Sequence, residues 1–377
     1  MKRYKKTCYV VYWDSATLPT LYMGIHMVTH TKPSLLIQGK SITANRKTLY
    51  HLPSHVTEVF SEDELFREIQ KITETNPDAT FTFYVNDLRN HRIEYFLMNN
   101  GIDQSRFQGV LITDGTASYT RFDQRYNKET GGTQWNNDLQ LVKSLVAKPY
   151  TIEKKDYNAF CVPPYLYSNY VFWLAWPELV DTIVPEIASD FQKNPEARAR
   201  YYKIDLYAYA QSLLPVYKNT YVKMFGLDKK WQLSDQTTLD NKTIEEVFNQ
   251  SPKKKIIILG SHRIENYEQR RNDYIKKTQQ KYGKEYDYFY KPHPASPIQD
   301  VPSDIDVLPH LIPTEIIYTL YADNIEYIGG FQSSVFMNLP QMTKKFFYMA
   351  SSGNDLITPI DKMYDLGLLG QVDFFSQ

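Results

Sequence analysis

Short apolar runs recur along the first part of the chain, and polar segments with helical spacing separate them. The runs lie at Cys8–Trp13, 34–38, 80–85 and 109–113. The continuous run at Cys8–Trp13 is typical of a strand buried on both faces of a parallel sheet, while the run at 80–85 alternates in the manner of a strand. A capping-box pattern at 61–64 marks the start of one intervening helix. This alternation predicts a βαβ series and a doubly wound parallel sheet.

The same alternation returns in the second half of the chain. An aromatic segment with helical spacing at 163–227 leads into apolar runs at 253–259, 286–291 and 325–328. A long polar helix is predicted between the first two of these runs, at 266–282. The pattern therefore predicts an α/β protein with two Rossmann-like halves.

Composition narrows the functional classes. The chain has 377 residues, a length that suits two domains, and its 43 basic and 43 acidic residues balance, which disfavours a nucleic-acid partner. The two cysteines, Cys8 and Cys161, have no metal-site spacing. No apolar run is long enough to span a membrane, and the first run ends at Asp14, so we interpret it as a strand and not as a signal sequence.

The most informative stretch is an aromatic run that stops at Lys291, Pro292, His293 and Pro294. A strand that ends at prolines leaves its last polar side chains at the edge of the sheet. In open α/β sheets the carboxyl edge is where ligands bind. An imidazole there could give a proton to a leaving phosphate, and an ammonium could neutralise the phosphate or orient the loop. The alternative is a solvated, proline-rich turn.

A second strand breaks at a Gly-Gly pair and is followed by Ser333 and Ser334. Hydroxyls and backbone N–H groups at a helix start can bind a phosphate, although an ordinary helix N-cap explains the same pattern. Glu315 lies in the first turn of a predicted helix, where it either caps the helix or binds ribose hydroxyls. Asp114 follows a strand and precedes a glycine, so it is either a general base or a turn residue.

One Asp-x-Asp pair occurs, at Asp304 and Asp306. It leads into a short apolar run, so it precedes a strand and does not stand at a strand's carboxyl end, where a metal would meet a ligand. We therefore expect chemistry without a metal or other cofactor.

With these residues identified, the chain resembles the bacterial sialyltransferases of glycosyltransferase family 80, which are related to other bacterial sialyl- and polysialyltransferase families. The matching motifs, in order, are YWDSATLPTL at 12–21, ITDGTASY at 112–119, YKPHP at 290–294, PTEII at 313–317 and IGGFQSSVFMNLP at 328–340. The resemblance extends from about residue 9 to about residue 365. Three positions depart from the family pattern. Thr113 replaces an acidic residue, Pro292 replaces a glycine, and the family's acceptor-stacking tryptophan has no counterpart near Gly260.

The resemblance implies a role for each matching residue. Asp114 matches the general base that deprotonates the acceptor hydroxyl, and His293 matches the acid that assists departure of cytidine monophosphate. The residues implied to bind the donor are Lys291, Pro294, Glu315, Ser333, Ser334, Gly260 and Ser15. The residues implied to lie on the acceptor side are Asn86 and Asp14.

The resemblance also implies a GT-B type fold, in which two Rossmann-like domains face each other across a cleft. We expect an acceptor-side domain at 1–165, a nucleotide-sugar donor domain at 166–356, and a C-terminal helix at 357–377 that completes the first domain.

The expected function is an inverting, metal-independent transfer of sialic acid from its cytidine monophosphate conjugate to a galactose-type hydroxyl of a bacterial surface glycan. Two alternatives stay open: the same scaffold with another donor, such as the Kdo conjugate, and a non-catalytic glycan- or nucleotide-binding protein. We expect a cytoplasmic protein without a membrane span, and peripheral association with the inner face of the membrane stays open as well.

Overall fold

The structure is a computed structural model. It describes residues 7–13, 17–38, 47–85, 100–103, 106–112, 170–173, 206–235, 237–261, 264–295, 301–357 and 360–376, together with residues 133 and 137. The chain divides into two compact units, Met1–Arg46 with Leu52–Ile204 and Lys47–His51 with Asp205–Gln377. A six-stranded sheet of parallel strands lies in each unit. The predicted α/β class with two parallel sheets is therefore confirmed.

The sheet of the first unit has the strand order β3-β2-β1-β4-β5-β6. Its strands are β1 Cys8–Trp13, β2 Ser34–Ile37, β3 Val56–Val59, β4 Thr80–Val85, β5 Phe107–Ile112 and β6 Tyr170–Trp173. Helices α1, Thr17–Met27, and α2, Glu62–Thr75, lie between them in the chain. Strand β1 is central, β2 and β3 follow on one side of it, and β4, β5 and β6 follow on the other side. The strand order therefore reverses between β1 and β4.

Helix α2 shows how the local sequence specifies an element. The Ser61 side chain accepts a hydrogen bond from the Glu64 backbone N–H at 3.1 Å, while the Glu64 carboxylate accepts one from the Phe60 backbone N–H at 2.7 Å. These bonds satisfy backbone donors that a helix start leaves unpaired. Leu65 and Ile69, one turn apart, are fully buried in the core of the first unit.

The sheet of the second unit has the strand order β12-β11-β10-β7-β8-β9. Its strands are β7 Lys255–Leu259, β8 Asp287–Lys291, β9 Asp306–Val307, β10 Ile325–Gly330, β11 Lys344–Tyr348 and β12 Val372–Phe375. The helices described in this unit are α3 Leu206–Met224, α4 Ile244–Asn249, α5 Tyr267–Tyr282, α6 Thr314–Tyr321 and α7 Ile360–Asp365. Short 3-10 helices lie at Leu233–Asp235, Ala322–Asn324, Ser334–Met337 and Gly353–Asp355. The strand order reverses between β7 and β10.

A short segment from the first half of the chain belongs to the second unit. The Tyr50 backbone N–H donates to the Met224 carbonyl at 2.8 Å, and the Tyr50 ring packs edge-on against Trp231 with the ring centroids 6.1 Å apart. Leu49 is fully buried. The alternation of apolar and polar residues does not indicate that this segment packs in the second unit.

The units differ from the expected division of the chain at two further places. Strand β6 pairs with β5, so the first sheet includes residues beyond 165. The C-terminal segment was expected to be a helix that completes the first domain. It instead contains the short helix α7 and then strand β12, which pairs with β11 in the second sheet. The aromatic Phe375 explains this placement, because its ring packs against those of Phe346 and Tyr348 in the core of the second unit.

Candidate functional site

The candidate site lies where the strand order of the second sheet reverses. Strands β7 and β10 are neighbours there, with Leu259 opposite Gly330 in the parallel register. Both strands end at this pair, so the turns that follow them leave the same edge of the sheet. Where the strand order reverses, the connections that follow the two neighbouring strands run to opposite faces of the sheet. This leaves a crevice at the carboxyl edge of the sheet. Gly260 and Ser333, both predicted from the sequence, lie in these two turns.

Two glycines let the backbone of β10 pass close to its neighbours. Gly330 has φ of 127°, and a Cβ atom there would lie 2.9 Å from the Leu259 backbone nitrogen. A Cβ atom at Gly329 would enter the ring of Phe346. The next residue, Phe331, donates its backbone N–H to the Leu259 carbonyl at 3.3 Å. The Gly-Gly pair is therefore required for the turn that leads to the two serines.

Ser333 is the N-cap of the 3-10 helix Ser334–Met337. Its hydroxyl oxygen accepts from the Val335 backbone N–H at 3.4 Å, a long hydrogen bond. The alternative of an N-cap is therefore confirmed for Ser333. A cap of this kind uses only a lone pair, so the hydroxyl proton can still be donated to a ligand. Both serines are half-buried.

Asn338 links Glu315 to this loop. Its side-chain N–H groups donate to the Glu315 carboxylate at 3.4 Å and to the Ser334 carbonyl at 3.3 Å. Glu315 lies in the first turn of α6. Burial raises the pKa of its carboxyl. Three effects oppose that shift: a hydrogen bond from its own backbone N–H, a hydrogen bond from Asn338, and the charge of Lys291. A desolvated carboxylate is thus held beside the serine loop, where it can accept hydrogen bonds from ligand hydroxyls.

Lys291 is the last residue of β8 and is only 4% exposed. Its ammonium donates to the His310 carbonyl at 2.7 Å and to the Pro292 carbonyl at 3.3 Å. Its own carbonyl accepts from the Gly260 N–H at 2.9 Å. Of the two roles predicted for Lys291, the contacts of its ammonium support orientation of the loops after β8 and β9.

His293 has a defined tautomer. Its Nδ1 atom accepts the Ala295 backbone N–H at 3.1 Å, so the neutral imidazole carries its proton on Nε2. The side chain is half-buried and stands just beyond the end of β8, as does Pro294. An imidazole in this tautomer presents a donor to an anionic leaving group.

A pair of tyrosines lies beneath Gly260. The hydroxyls of Tyr267 and Tyr290 hydrogen-bond each other, and the Tyr267 oxygen accepts the Ser261 backbone N–H at 2.8 Å. A Cβ atom at Gly260 would lie 2.8 Å from the Tyr267 oxygen and closer still to that of Tyr290. Glycine at this position therefore lets the turn after β7 rest on the two hydroxyls.

These contacts bring several predicted residues into one region of the second unit. Hydrogen bonds join Gly260 to Lys291 and join Glu315 to the Ser334 loop through Asn338. Sequence reasoning missed Asn338 and Tyr267. Asn338 lies within the quoted Gly-Gly-Ser-Ser motif and four residues after Ser334, a spacing that could have indicated the contact. Tyr267 carries no comparable signal.

Four predicted residues lie outside the described part of the chain: Asp14, Ser15, Asn86 and Asp114. The strands that precede them are described. Trp13 at the end of β1 pairs with Val85 at the end of β4, where the order of the first sheet reverses, and β5 ends at Ile112. By the same topological rule, a ligand is expected at the carboxyl edge of this sheet.

The Asp-x-Asp pair lies away from the candidate site. Asp306 begins β9, as predicted, and Asp304 accepts a hydrogen bond from the Gln279 side chain at 2.8 Å. Within the described ranges, no three His, Cys, Asp or Glu side chains are grouped to hold a metal ion. Of the helices in those ranges, none combines the length and apolar composition needed to cross a bilayer.

Comparison with known proteins shows a likeness in fold. No protein-family model matches the chain, and no curated protein matches it in sequence. Among solved structures, it is similar to an alpha/beta-galactoside alpha-2,3-sialyltransferase from the luminous marine bacterium Photobacterium phosphoreum. The identity is 15%, the TM-score is 0.67, and the match covers 98% of this chain and 99% of the other.

Two structures of a sialyltransferase from Photobacterium damselae are also similar. One matches at 15% identity and a TM-score of 0.62, covering 98% of this chain and 82% of the other. The second, limited to the GT-B domain, matches at 14% identity and a TM-score of 0.64, covering 98% of this chain and 100% of the other. At such identities the likeness shows the fold alone. The expected GT-B type fold is confirmed.

Proposed function

We propose that this chain is an inverting sialyltransferase that uses cytidine monophosphate–sialic acid as donor and a galactose-type hydroxyl of a bacterial surface glycan as acceptor. The observation that supports it best is the group of side chains at the reversal point of the second sheet. Glu315, Asn338 and the Ser333–Ser334 loop are joined there, and Lys291 is anchored to the turn at Gly260. Carboxylate, hydroxyls and backbone N–H groups at such an edge suit the ribose and phosphate of a nucleotide.

The proposed reaction is a single displacement. The acceptor oxygen forms a bond to the anomeric carbon of sialic acid while the bond from that carbon to the phosphate oxygen breaks, which inverts the configuration. Asp114 takes the proton of the acceptor hydroxyl. His293, with its proton on Nε2, donates to the departing phosphate. Ser333 and Ser334 donate to phosphate oxygens, and Glu315 accepts from the ribose hydroxyls.

The similar structures support this proposal through their fold and because those proteins are sialyltransferases. The motif order at 290–294, 313–317 and 328–340 supports it independently. In this chain the three motifs lie at the ends of β8 and β10 and at the start of α6, so they meet at one edge of one sheet.

The test is release of cytidine monophosphate from the sialic acid donor, measured with and without lactose as acceptor. We expect release that depends on lactose, a sialylated product, and an unchanged rate in excess EDTA. Loss of the rate in EDTA, with recovery in magnesium or manganese, would contradict the metal-independent chemistry. Transfer from the Kdo conjugate in place of the sialic acid donor would identify the alternative donor, and binding without turnover would identify a non-catalytic protein.

A further inference from the structure

A buried arginine stands behind the tyrosine pair at Gly260. Arg271 of α5 is 2% exposed, and its guanidinium carbon lies 5.7 Å from the ring centroids of both Tyr267 and Tyr290. The guanidinium also hydrogen-bonds the Tyr290 hydroxyl. A guanidinium only donates, so the Tyr290 oxygen is the acceptor in that bond.

The direction of the hydrogen bond between the two tyrosines follows from the burial of Tyr290. Tyr290 is 2% exposed, and within the described residues the Tyr267 oxygen is the acceptor that its own O–H can reach. The Tyr290 O–H therefore donates to Tyr267. The Tyr267 oxygen also accepts the Ser261 backbone N–H at 2.8 Å, so both of its lone pairs are used. The Tyr267 proton stands at the end of this chain of bonds and is available for donation to a ligand.

Tyr267 touches both turns of the candidate site. Its oxygen contacts the turn after β7 at Ser261, and its ring lies 5.4 Å from the ring of Phe331, which begins the turn after β10. The side chain of Tyr267 is half-buried, whereas Phe331 behind it is 2% exposed. The hydroxyl is therefore held at the reversal point of the sheet, and Phe331, which lies shortly before Ser333 in the chain, connects it to the serine loop.

We propose that Tyr267 is a ligand-binding residue whose hydroxyl donates a hydrogen bond to a phosphate oxygen of the nucleotide. This inference rests on the proposed function of the same site and adds a donor that the sequence motifs do not contain. A phosphate suits the position because Tyr267 packs against the residue that leads into the serine loop, and because a donor with both lone pairs occupied can only recognise an acceptor.

The protonation state agrees with this role. Burial raises the pKa of the Tyr267 hydroxyl, while the bonds from Tyr290 and Ser261 and the charge of Arg271 oppose that shift. The hydroxyl thus keeps its proton at neutral pH. The buried Arg271 polarises the Tyr290 hydroxyl, which in turn strengthens donation by Tyr267.

The test is calorimetric titration of cytidine monophosphate and of cytidine into the wild type and into Tyr267→Phe. Phenylalanine keeps the ring packing on Phe331 and removes the donor. Loss of one hydrogen bond to a charged group predicts an affinity for cytidine monophosphate lower by about tenfold or more. The affinity for cytidine, which lacks the phosphate, should be unchanged. Tyr288→Phe is the matched control, since it removes a hydroxyl bond to the Gly283 carbonyl at the other end of β8.

A second variant separates donation from support of the turn. With p-methoxyphenylalanine at position 267, the ether oxygen still accepts from Ser261 and Tyr290 but cannot donate, so we expect the same loss as in Tyr267→Phe. Wild-type affinity in either variant, or an equal loss for cytidine, would overturn the inference. If the wild type itself does not bind cytidine monophosphate, the proposed function fails together with the inference. If the wild type binds it and the variants bind it equally well, only the inference about Tyr267 fails.

Discussion

The hydroxyl of Tyr12 lies 2.7 Å from Nδ1 of His26 in the first unit. The same hydroxyl lies 2.7 Å from Nε2 of His30, whose Nδ1 accepts the Lys32 backbone N–H at 3.0 Å. His30 therefore carries its proton on Nε2 and donates to Tyr12, and Tyr12 donates to His26. His26 then donates from Nε2 to the Tyr84 hydroxyl at 3.0 Å. This chain of bonds requires both imidazoles to be neutral.

We predict that the first unit loses stability as the pH falls from about 6.5 toward 4. Burial is the main cause that lowers the pKa of His26 to about 3 and that of His30 to about 4, and the neighbouring His30, His55 and Lys32 contribute to these shifts. The unfolded chain titrates near the free value of about 6.5. In that window the unfolded state binds more protons, so the free energy of unfolding rises with pH and falls on acidification.

Urea unfolding from pH 7 to pH 4 provides the measurement. The variant His26→Gln, which stays neutral, should be less stable at pH 7 because it loses hydrogen bonds, but its stability should fall less steeply with acid. Parallel slopes for the variant and the wild type would show that other groups control the acid response.

The sequence predicts the strands and their order along the chain better than it predicts their partners. Runs of apolar and aromatic residues located β1, β4, β7, β8 and β10, because many of their positions are buried, and in β4 buried phenylalanines alternate with threonines. The placement of β12 depends on ring contacts of Phe375 with residues far away in sequence, which no local pattern contains.

The residues of the candidate site also fall into those that the sequence predicts and those that it does not. Ser333, Glu315 and Lys291 could be predicted because each lies at the end of a strand, in the turn after one, or at the start of a helix. Tyr267 could not, because the role proposed for it depends on a hydrogen-bond network that joins α5 to β8 and to the turn after β7.

Gly330→Ala should strongly destabilise the second unit. The backbone there has φ of 127°, and the new Cβ would lie 2.9 Å from the Leu259 nitrogen, so strain and a backbone clash add. A cost of about 2 kcal/mol or more is expected. Gly367→Ala is the control, because φ there is 68° but nothing lies within 4 Å of the added Cβ. If Gly330→Ala and Gly367→Ala lose the same free energy of unfolding in urea, β7 moves aside to accommodate the methyl group.

Replacement of both Ser333 and Ser334 by alanine should weaken binding of cytidine monophosphate by well over tenfold, since each hydrogen bond to a charged group contributes about 1.5–3 kcal/mol. Ser334→Ala alone should leave stability unchanged, because Asn338 contacts its carbonyl and not its hydroxyl. Ser212→Ala, on an exposed face of α3, is the control. Wild-type affinity in the double variant would leave Ser333 as an N-cap only.

Glu315→Gln should lower the affinity for the nucleotide without lowering the stability of the fold. Burial raises the pKa of this carboxyl, so the folded state binds more protons than the unfolded state and stability falls as pH rises through the folded pKa. At pH 7 the glutamine variant should therefore be at least as stable as the wild type, while its affinity for cytidine monophosphate should fall. The advantage in stability should disappear near pH 4, and thermal unfolding at both pH values measures it. A less stable variant at pH 7 would contradict the argument.

Asp114 and His293 should affect different steps of the proposed reaction. Asp114→Asn keeps the size of the side chain and removes its basicity, so transfer should fall by at least ~100-fold while binding of cytidine monophosphate stays near normal. His293→Ala should lower both turnover and nucleotide affinity, because in the proposed reaction the donor on Nε2 would contact the phosphate in the ground state as well as in the transition state.

The pH dependence of transfer distinguishes the two roles. A base that must be deprotonated and an acid that must be protonated give a bell-shaped rate profile, and removal of Asp114 should abolish or displace its acidic limb. Calorimetric titration of cytidine monophosphate into both variants supplies the affinities. If Asp114→Asn transfers sialic acid near the wild-type rate, Asp114 is a turn residue. If it folds but no longer binds the nucleotide, Asp114 is a donor ligand. Either result would refute the assignment of this carboxylate as the base, because a general base acts on the acceptor hydroxyl and leaves nucleotide binding intact.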